Sequence, residues 1–159
     1  MSKTYKMTHP DASHLWPLVR QGDFIDGYAT TSDLSPQEAL DIGLAMPKWA
    51  DALLRLRNIF VRPLGLKTGT AADGRDAIFP IHYTSETEII IGTDDTHLNF
   101  RISVMRHNDH IHMATWVHRN NWIGRVYLIL VMPFHIAIVR NAMRQIAKAS
   151  TIASHPQAQ

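Results

Sequence analysis

The feature that most constrains the fold is a pair of alternating segments on either side of Asn108-Asp109. Apolar and polar residues alternate over 97–107 and again over 110–118, which is the period of strands with one buried face. A two-residue turn at Asn108-Asp109 places His107 opposite His110, and in that register the apolar residues of both strands share one face. Because a shift of one residue would separate them, the pattern predicts an antiparallel hairpin of fixed register. We expect burial of Phe100, Ile102, Val104, Met113 and Val117, and greater exposure of Asn99, Arg101 and His110.

The other elements follow from capping signals and periodicity. Ser35-Pro36-Gln37-Glu38 is a helix-capping sequence, and Pro133 predicts a bend or a break in the last helix. The remaining predicted strands cover Gly22–Thr31, 78–84 and 87–94, and the predicted helices cover 36–45, 47–62 and 122–149. A sheet with one apolar face needs a cover, and the last helix is the only element long and apolar enough. We therefore predict an α+β fold with a helix-grip-like antiparallel sheet wrapped around a long C-terminal helix, and two short helices after the first strand. A one-sided sandwich without a cavity is the alternative.

The 159 residues are enough for one domain, which the sequence places at 1–150, with a flexible tail at 151–159. The first ten residues are also unpatterned, so both ends are predicted to be frayed. No cysteine occurs, which excludes disulfides and thiolate chemistry. The longest apolar run, Val126–Phe134, is well short of the ~20 residues that cross a bilayer, and no signal sequence is recognisable. A cytoplasmic protein without membrane insertion is expected.

Positive charge is concentrated in the last third of the chain. Residues 101–159 carry seven Lys or Arg against one Asp, whereas the rest is net negative. The basic residues are separated by apolar segments and form no platform interleaved with aromatic residues, so no nucleic-acid partner is expected. Dinucleotide, phosphate-loop, zinc-protease and serine-hydrolase motifs are absent from the sequence. We therefore expect no cofactor.

Three segments carry a resemblance to a known family. They read MPKWADALLRLRNIFVRPLGL, IIIGTDDTHLNFRISV and TWVHRNNWIGRVYLILVMPFHIAIVRNAM, and their most specific parts are Asp94-Asp95-x-His97-Leu98-x-Phe100-Arg101 and Gly124-Arg125-x-Tyr127. The chain resembles a bacterial family catalogued as a domain of unknown function, which is similar to the polyketide-cyclase, START and birch-pollen-allergen helix-grip superfamily. The resemblance implies a fold, and it implies neither a reaction nor a cofactor.

The sequence Asp94-Asp95-Thr96-His97 is a compact cluster of carboxylates and an imidazole. An aspartate beside a histidine is the usual way to orient a general base, while the same residues are also typical of a turn. In the hairpin register His97 is a diagonal neighbour of His118, and Arg101 faces Trp116 as a cation–π candidate. This sheet face is either a polar binding surface or its solvated side.

His135 follows Pro133 in the apolar part of the last helix. It is either a structural histidine that bonds the backbone near the kink or a histidine that lines a pocket between helix and sheet. The catalytic candidates are Asp94, Asp95, His97, His118 and His135.

His107, His110 and His112 are the most metal-like group, because His110 and His112 share a strand face and His107 faces His110. A hairpin tip is also an ordinary place for surface histidines, and no carboxylate except Asp109 is well placed. We expect no physiological metal.

These observations predict a domain that binds a small apolar molecule between the sheet and the C-terminal helix. The alternatives are a small isomerase, cyclase or hydrolase that uses an Asp/His pair, and a non-catalytic dimerising module. The wall residues are expected to be Phe24, Tyr28, Trp49, Phe100, Ile102, Met113, Thr115, Tyr127, Leu130, Phe134 and His135.

Residues 126–139 are apolar nearly all round, although a surface helix needs only one apolar stripe. Some of this surface is therefore predicted to remain for a partner. We expect a homodimer with Leu128, Met132 or His135 near the contact.

Overall fold

The computed structural model describes residues 4–45 and 79–153, with side chains to Ser150. The strands are β1 (Tyr5–Lys6), β2 (Phe24–Thr31), β3 (Ile81–Thr84), β4 (Glu88–Asp94), β5 (Leu98–His107) and β6 (His110–Arg119). Helix α1 (Pro36–Leu44) follows β2, and helix α2 (Trp122–Ala153) follows β6. The six strands form one antiparallel sheet in the order β1-β2-β6-β5-β4-β3, so the first long strand pairs with the last. The predicted α+β fold is confirmed. The predicted helix at 47–62, which includes Trp49, lies outside the described residues.

The β5–β6 hairpin has the predicted register. His107 pairs with His110, and Phe100 pairs with Val117. Asn108 takes a left-handed conformation, φ 44°, which asparagine tolerates better than most residues. Val104, Met113 and Val117 are buried as predicted, whereas Phe100 and Ile102 are half-buried. These residues lie on the face of the sheet that looks toward α2, hereafter the inner face.

Arg101 is buried on the opposite, outer face, at 8% exposure, so the prediction that it is more exposed is wrong. Gly92 pairs with Arg101 on the neighbouring strand and leaves the space that the arginine stem occupies. The guanidinium turns back along β4, where Nη1 lies 2.9 Å from Asp94 Oδ1 and donates to the Thr93 carbonyl at 3.2 Å. The arginine therefore buries its apolar stem and keeps its charge paired at the strand end.

The outer face is covered by the N-terminal segment, residues 4–22, rather than being solvated. Leu15 is fully buried against Ile90 and Trp116, and β1 pairs with the edge of β2. The segment can approach β2 closely because Gly27 has no side chain: a Cβ there would overlap the Met7 carbonyl oxygen. The prediction of frayed first residues is therefore wrong for residues 4–10, whose two-residue strand is too short to show a period.

The inner core lies at one end of α2. Val139, Met143 and Ile146 pack with α1 and with the inner face of the sheet. Helix α1 is positioned by its capping box, in which Ser35 accepts from the Glu38 amide while the Glu38 carboxylate accepts from the Ser35 amide. This half of α2 and α1 close one end of the layer between helix and sheet.

The other half of α2 is packed much less. Helix α2 is continuous through Pro133, so of the predicted bend or break the break does not form. The helix runs to Ala153 instead of ending at 149. Asn121 precedes it and accepts from the Gly124 amide at 3.1 Å, as an N-cap residue does. By length and composition alone the stretch Trp122–Ser150 is apolar enough to cross a membrane, and so are many helices in the cores of soluble proteins. Core helices are mostly buried, however, whereas only 11% of the most apolar 18 residues of this stretch are buried. Half of the longest helix therefore presents apolar side chains outward.

Candidate functional site

The predicted Asp94–Asp95–His97 cluster separates into three local roles. Asp94 is paired with Arg101, which holds the pKa of the Asp94 carboxyl below its usual range. Asp95 accepts from the Thr96 amide at 2.6 Å, which is turn chemistry. The His97 ring contacts the side-chain amide of Asn121, the residue that caps α2. These three residues contact separate partners and do not converge on one point.

His118 belongs to an aspartate–histidine pair on the outer face. Its Nδ1 lies 2.6 Å from Asp23 Oδ1, and Trp116 Nε1 donates to Asp23 Oδ2 at 2.8 Å. Burial alone would raise the pKa of the Asp23 carboxyl, but hydrogen bonds from the Arg20 amide, His118 and Trp116 lower it. Since the ionised carboxylate only accepts, His118 donates through Nδ1. The ring is 29% exposed and stacked on Trp116, an arrangement that orients an imidazole for proton transfer through Nε2.

His135 belongs to a second such pair, on the inner face. Its Nε2 lies 3.0 Å from Asp26 Oδ2, and Phe24 meets the imidazole edge-on. Asp26 lies in the middle of β2, opposite Thr115 on β6, and its side chain is nearly completely buried. The second carboxylate oxygen, Oδ1, is buried and has no hydrogen-bond partner among the described residues. A buried acceptor of this kind is costly unless something donates to it.

The predicted wall residues fall into two groups around this pair. Tyr28, Met113 and Thr115 are buried on the inner face. Phe24, Phe100, Ile102, Tyr127, Phe134 and His135 are half-buried, and Leu130 is exposed. Of the half-buried members, Phe24, Phe100 and Ile102 belong to the sheet, whereas Tyr127, Phe134 and His135 belong to the loosely packed half of α2. The structure therefore does not support Leu130 as a wall residue, since it is exposed like Val126 and Ile129 on the outward side of the helix.

Glu88 is the most completely buried carboxylate of the described residues, and it lies on the outer face. Ser13 and Ser103 donate their hydroxyl groups to it, the latter at 2.6 Å, and the His14 backbone amide donates at 2.9 Å. Burial alone would raise the pKa of Glu88, but these bonds and nearby His9 lower it to about 2. The carboxylate therefore stays ionised and fastens the N-terminal segment to β4 and β5.

His9 completes this network without forming a catalytic triad. Because the Ser103 hydroxyl gives its hydrogen to Glu88, its oxygen accepts from His9 Nε2 at 2.9 Å. The carboxylate thus contacts the serine, whereas in a triad it contacts the histidine. His9 and Ser103 are both buried, so the group is built for structure.

Of the three hairpin histidines, His112 is surrounded by the other two and by His9 of the N-terminal segment. His112 is buried, and its ring centroid lies 6.1–6.3 Å from those of His9, His107 and His110. Burial, reinforced by the positive charge that these neighbours carry when protonated, lowers the pKa of His112 to about 4. No group of three metal ligands with suitable geometry occurs among the described residues. His112 is thus a neutral imidazole inside the outer layer.

A depression of about 270 Å³ opens on the outer face, lined by Lys6–His9, Trp16 and Ile25–Gly27. It lies between the N-terminal segment and β2, and the His135 ring is not among its lining groups. The depression and the layer between sheet and helix, where the sequence predicts a cavity, thus share Asp26 of β2.

Residues 18–142 match the model of a family described as "Protein of unknown function (DUF2867)". The chain belongs to the DUF2867 family. Neither the curated proteins nor the solved structures include a significant match to the chain. The part that defines this DUF2867 domain contains both aspartate–histidine pairs, whereas His9 and Ser13 of the Glu88 network precede it.

His118 and His135 were recognisable from the sequence, but their partners, Asp23 and Asp26, were not predicted. Asp26 carried a signal, because it alternates with Phe24 and Tyr28 and so occupies a strand position of the kind that faces the interior. The sequence gives no comparable indication that Glu88 is buried, since a glutamate that begins a strand is usually exposed. Its burial depends on an N-terminal segment that covers it from 74 residues away.

Proposed function

We propose that this DUF2867 domain binds a small, mainly apolar molecule with one hydrogen-bond donor, held between the inner face of the sheet and the first half of α2. The observation that carries the proposal is Asp26 Oδ1, a buried carboxylate oxygen that lacks a partner among the described residues. A hydroxyl or N–H group of a ligand would supply the missing donor. The same molecule would cover the half-buried aromatic side chains nearby.

The packing of α2 supports this location. Past Val139 the helix is closed onto the sheet by Met143 and Ile146. Phe24, which meets His135 edge-on, stays half-buried, and so do Phe100 and Phe134. Ligand sites are mostly apolar with a few fixed polar groups, and Asp26, His135 and Thr115 are such groups. The first long strand also pairs with the last one, and the final helix packs on these two strands, which supports kinship with the helix-grip superfamily.

Native mass spectrometry of gently purified protein tests the proposal. We expect a retained compound that adds to the 18.0 kDa chain and is released on denaturation. Ile102→Trp, which fills the proposed site, should abolish retention, whereas the matched control Ile81→Trp on the exposed edge strand should not. Equal retention by both variants would place the compound elsewhere and overturn the proposal.

A neutral fluorescent amine, N-phenyl-1-naphthylamine, tests the polar contact, because it is apolar and carries one N–H donor. Asp26→Asn replaces a charge-assisted hydrogen bond with a neutral one, so binding should weaken roughly fivefold. Asp23→Asn makes the same change in the outer pair and should leave the affinity unaltered. Equal affinities for the wild type and Asp26→Asn would contradict the role of Asp26.

A second candidate function is acid–base catalysis at the same place, favoured by the 3.0 Å contact between His135 Nε2 and Asp26 Oδ2. A carboxylate that orients an imidazole is the usual arrangement for moving a proton. The test is to incubate the released compound with the wild type and with His135→Gln. A change in the mass of the compound that occurs with the wild type and not with His135→Gln would establish an enzyme. An unchanged compound would leave binding as the only function.

A further inference from the structure

We propose that the outward stripe of α2 docks on the surface of an anionic lipid bilayer, with the helix lying in the plane of the interface. The stripe consists of exposed residues three or four apart along the helix: Trp122, Val126, Ile129, Pro133, Ala137, Arg140, Arg144 and Lys148. This inference goes beyond small-molecule binding and does not depend on it.

The first half of the stripe is apolar and exposed. Trp122 is 67% exposed and Ile129 is 72% exposed, and neighbouring Val126 and Leu130 are exposed as well. Scattered exposed hydrophobic residues are ordinary, but a continuous row on one helix marks an interaction surface. Tryptophan at the end of such a row is typical of a residue that sits at the level of lipid headgroups.

The second half of the stripe is positively charged, which indicates the kind of surface that it binds. Arg140, Arg144 and Lys148 are exposed and follow the apolar half along the same side of the helix, and Arg125 borders its beginning. No Asp or Glu occurs in residues 122–153. The carboxylate of Asp33 does reach α2, but it accepts from buried Ser150. A helix with an apolar row and uncompensated cations fits an anionic lipid surface.

The two competing occupants offer no matching charge. A second copy would bring the same stripe, because a two-fold contact uses one patch from both subunits, and that patch has no acidic residue. Residues 46–78 of the same chain carry six Lys or Arg against three Asp, so they too are net positive. An anionic bilayer satisfies both halves of the stripe at once, and the predicted homodimer becomes an outcome of the test.

Co-sedimentation with vesicles provides the measurement. We expect binding to phosphatidylcholine vesicles that contain one third phosphatidylglycerol, and at least tenfold weaker binding to phosphatidylcholine alone. High salt should also weaken the binding, because surface charges are screened. Binding that is equal on both vesicles, or absent from both, would overturn the proposal.

Variants on exposed positions separate the two halves of the stripe without disturbing the core. Ile129→Glu should abolish vesicle binding, and the matched control Ile81→Glu, also at an exposed isoleucine, should not. The triple change Arg140→Gln, Arg144→Gln and Lys148→Gln should weaken binding by about 100-fold. The matched control removes three positive charges elsewhere on the surface, as Lys6→Gln, Arg20→Gln and Arg106→Gln. It should weaken vesicle binding much less.

The absence of cysteine allows a clean test of what covers the stripe. A thiol introduced as Ile129→Cys should react rapidly with maleimide in solution and slowly on anionic vesicles. If the thiol reacts slowly without vesicles and sedimentation shows a monomer, residues 46–78 cover the stripe. A dimer that Ile129→Glu dissociates would mean that a second copy covers it. Either result would overturn the membrane proposal.

Discussion

Buried carboxylates in this chain are held by hydroxyl groups, imidazoles and backbone amides from distant segments. Glu88 is bonded by Ser13 and Ser103, and Asp26 by His135, which is 109 residues away. Such pairs could not be predicted from the sequence, because each depends on which strands are neighbours. The histidines were recognisable as candidates from local context, whereas Asp23 and Asp26 become their partners only through the pairing of β2 with β6.

The Glu88 network makes stability depend on pH in the acid range. The folded pKa of about 2 lies below the ordinary value of 4.5, so the contribution of Glu88 is fully present above pH 4.5 and is lost as pH falls toward 2. The linked free energy is up to about 3 kcal/mol. Glu88→Gln should lower the free energy of unfolding at pH 7 by about 2–3 kcal/mol in urea titrations and flatten its fall between pH 4.5 and 2. The neighbouring exposed Glu86→Gln should do neither.

His112 acts at higher pH and in the same direction. Its folded pKa of about 4 lies below the ordinary 6.5, so the unfolded chain takes up the proton first. The folded state should therefore lose about 2 kcal/mol between pH 7 and 5 through this residue. His112→Leu should remove that loss and cost little at pH 7, because it also removes a buried nitrogen without a partner. Exposed His82→Leu is the control. If the free energy of unfolding of His112→Leu falls between pH 7 and 5 as steeply as that of the control, His112 is not a buried neutral ring.

At the scale of elements, the two halves of α2 differ in how they pack. Met143 is fully buried in the closed half. Phe100 lies level with Phe24 at the other end of the inner face and is half-buried, with Phe79 packed edge-on against it. Met143→Ala should cost about 3–5 kcal/mol in denaturant titrations, and Phe100→Ala less than about 2 kcal/mol. Similar losses would show that the layer is equally packed along its length.

The hairpin could be predicted because both of its alternations and its turn are local in sequence. The end of α2 and the two-residue β1 could not, since helix ends fray and two residues have no period. Arg101 was misassigned because alternation indicates the face of a strand but not what covers that face. The cover is the N-terminal segment, whose polar composition favoured disorder.

At the scale of the whole molecule, the N-terminal segment is part of the fold. Deletion of residues 1–15 removes Leu15 from the outer core and leaves Glu88 without its Ser13 and His14 donors. We expect a loss of more than about 4 kcal/mol in the free energy of unfolding, a large share of the stability of a small domain. Deletion of residues 1–3 is the control. An intact unfolding midpoint after the longer deletion would show that the segment only rests on the sheet.

The pairing of β2 with β6 also sets the order of events during synthesis. Trp116 of β6 donates to Asp23, the residue just before β2, across a separation of 93 residues. At a ribosomal rate of about 5–20 residues per second, β2 waits roughly 5 to 20 seconds before its partner strand exists. Throughout that interval its apolar residues and unpaired edge are open to other chains. We therefore expect the sheet to close from the local β5–β6 hairpin outward and β2 to join late, so that β2 is the strand most in need of protection while the chain is being made.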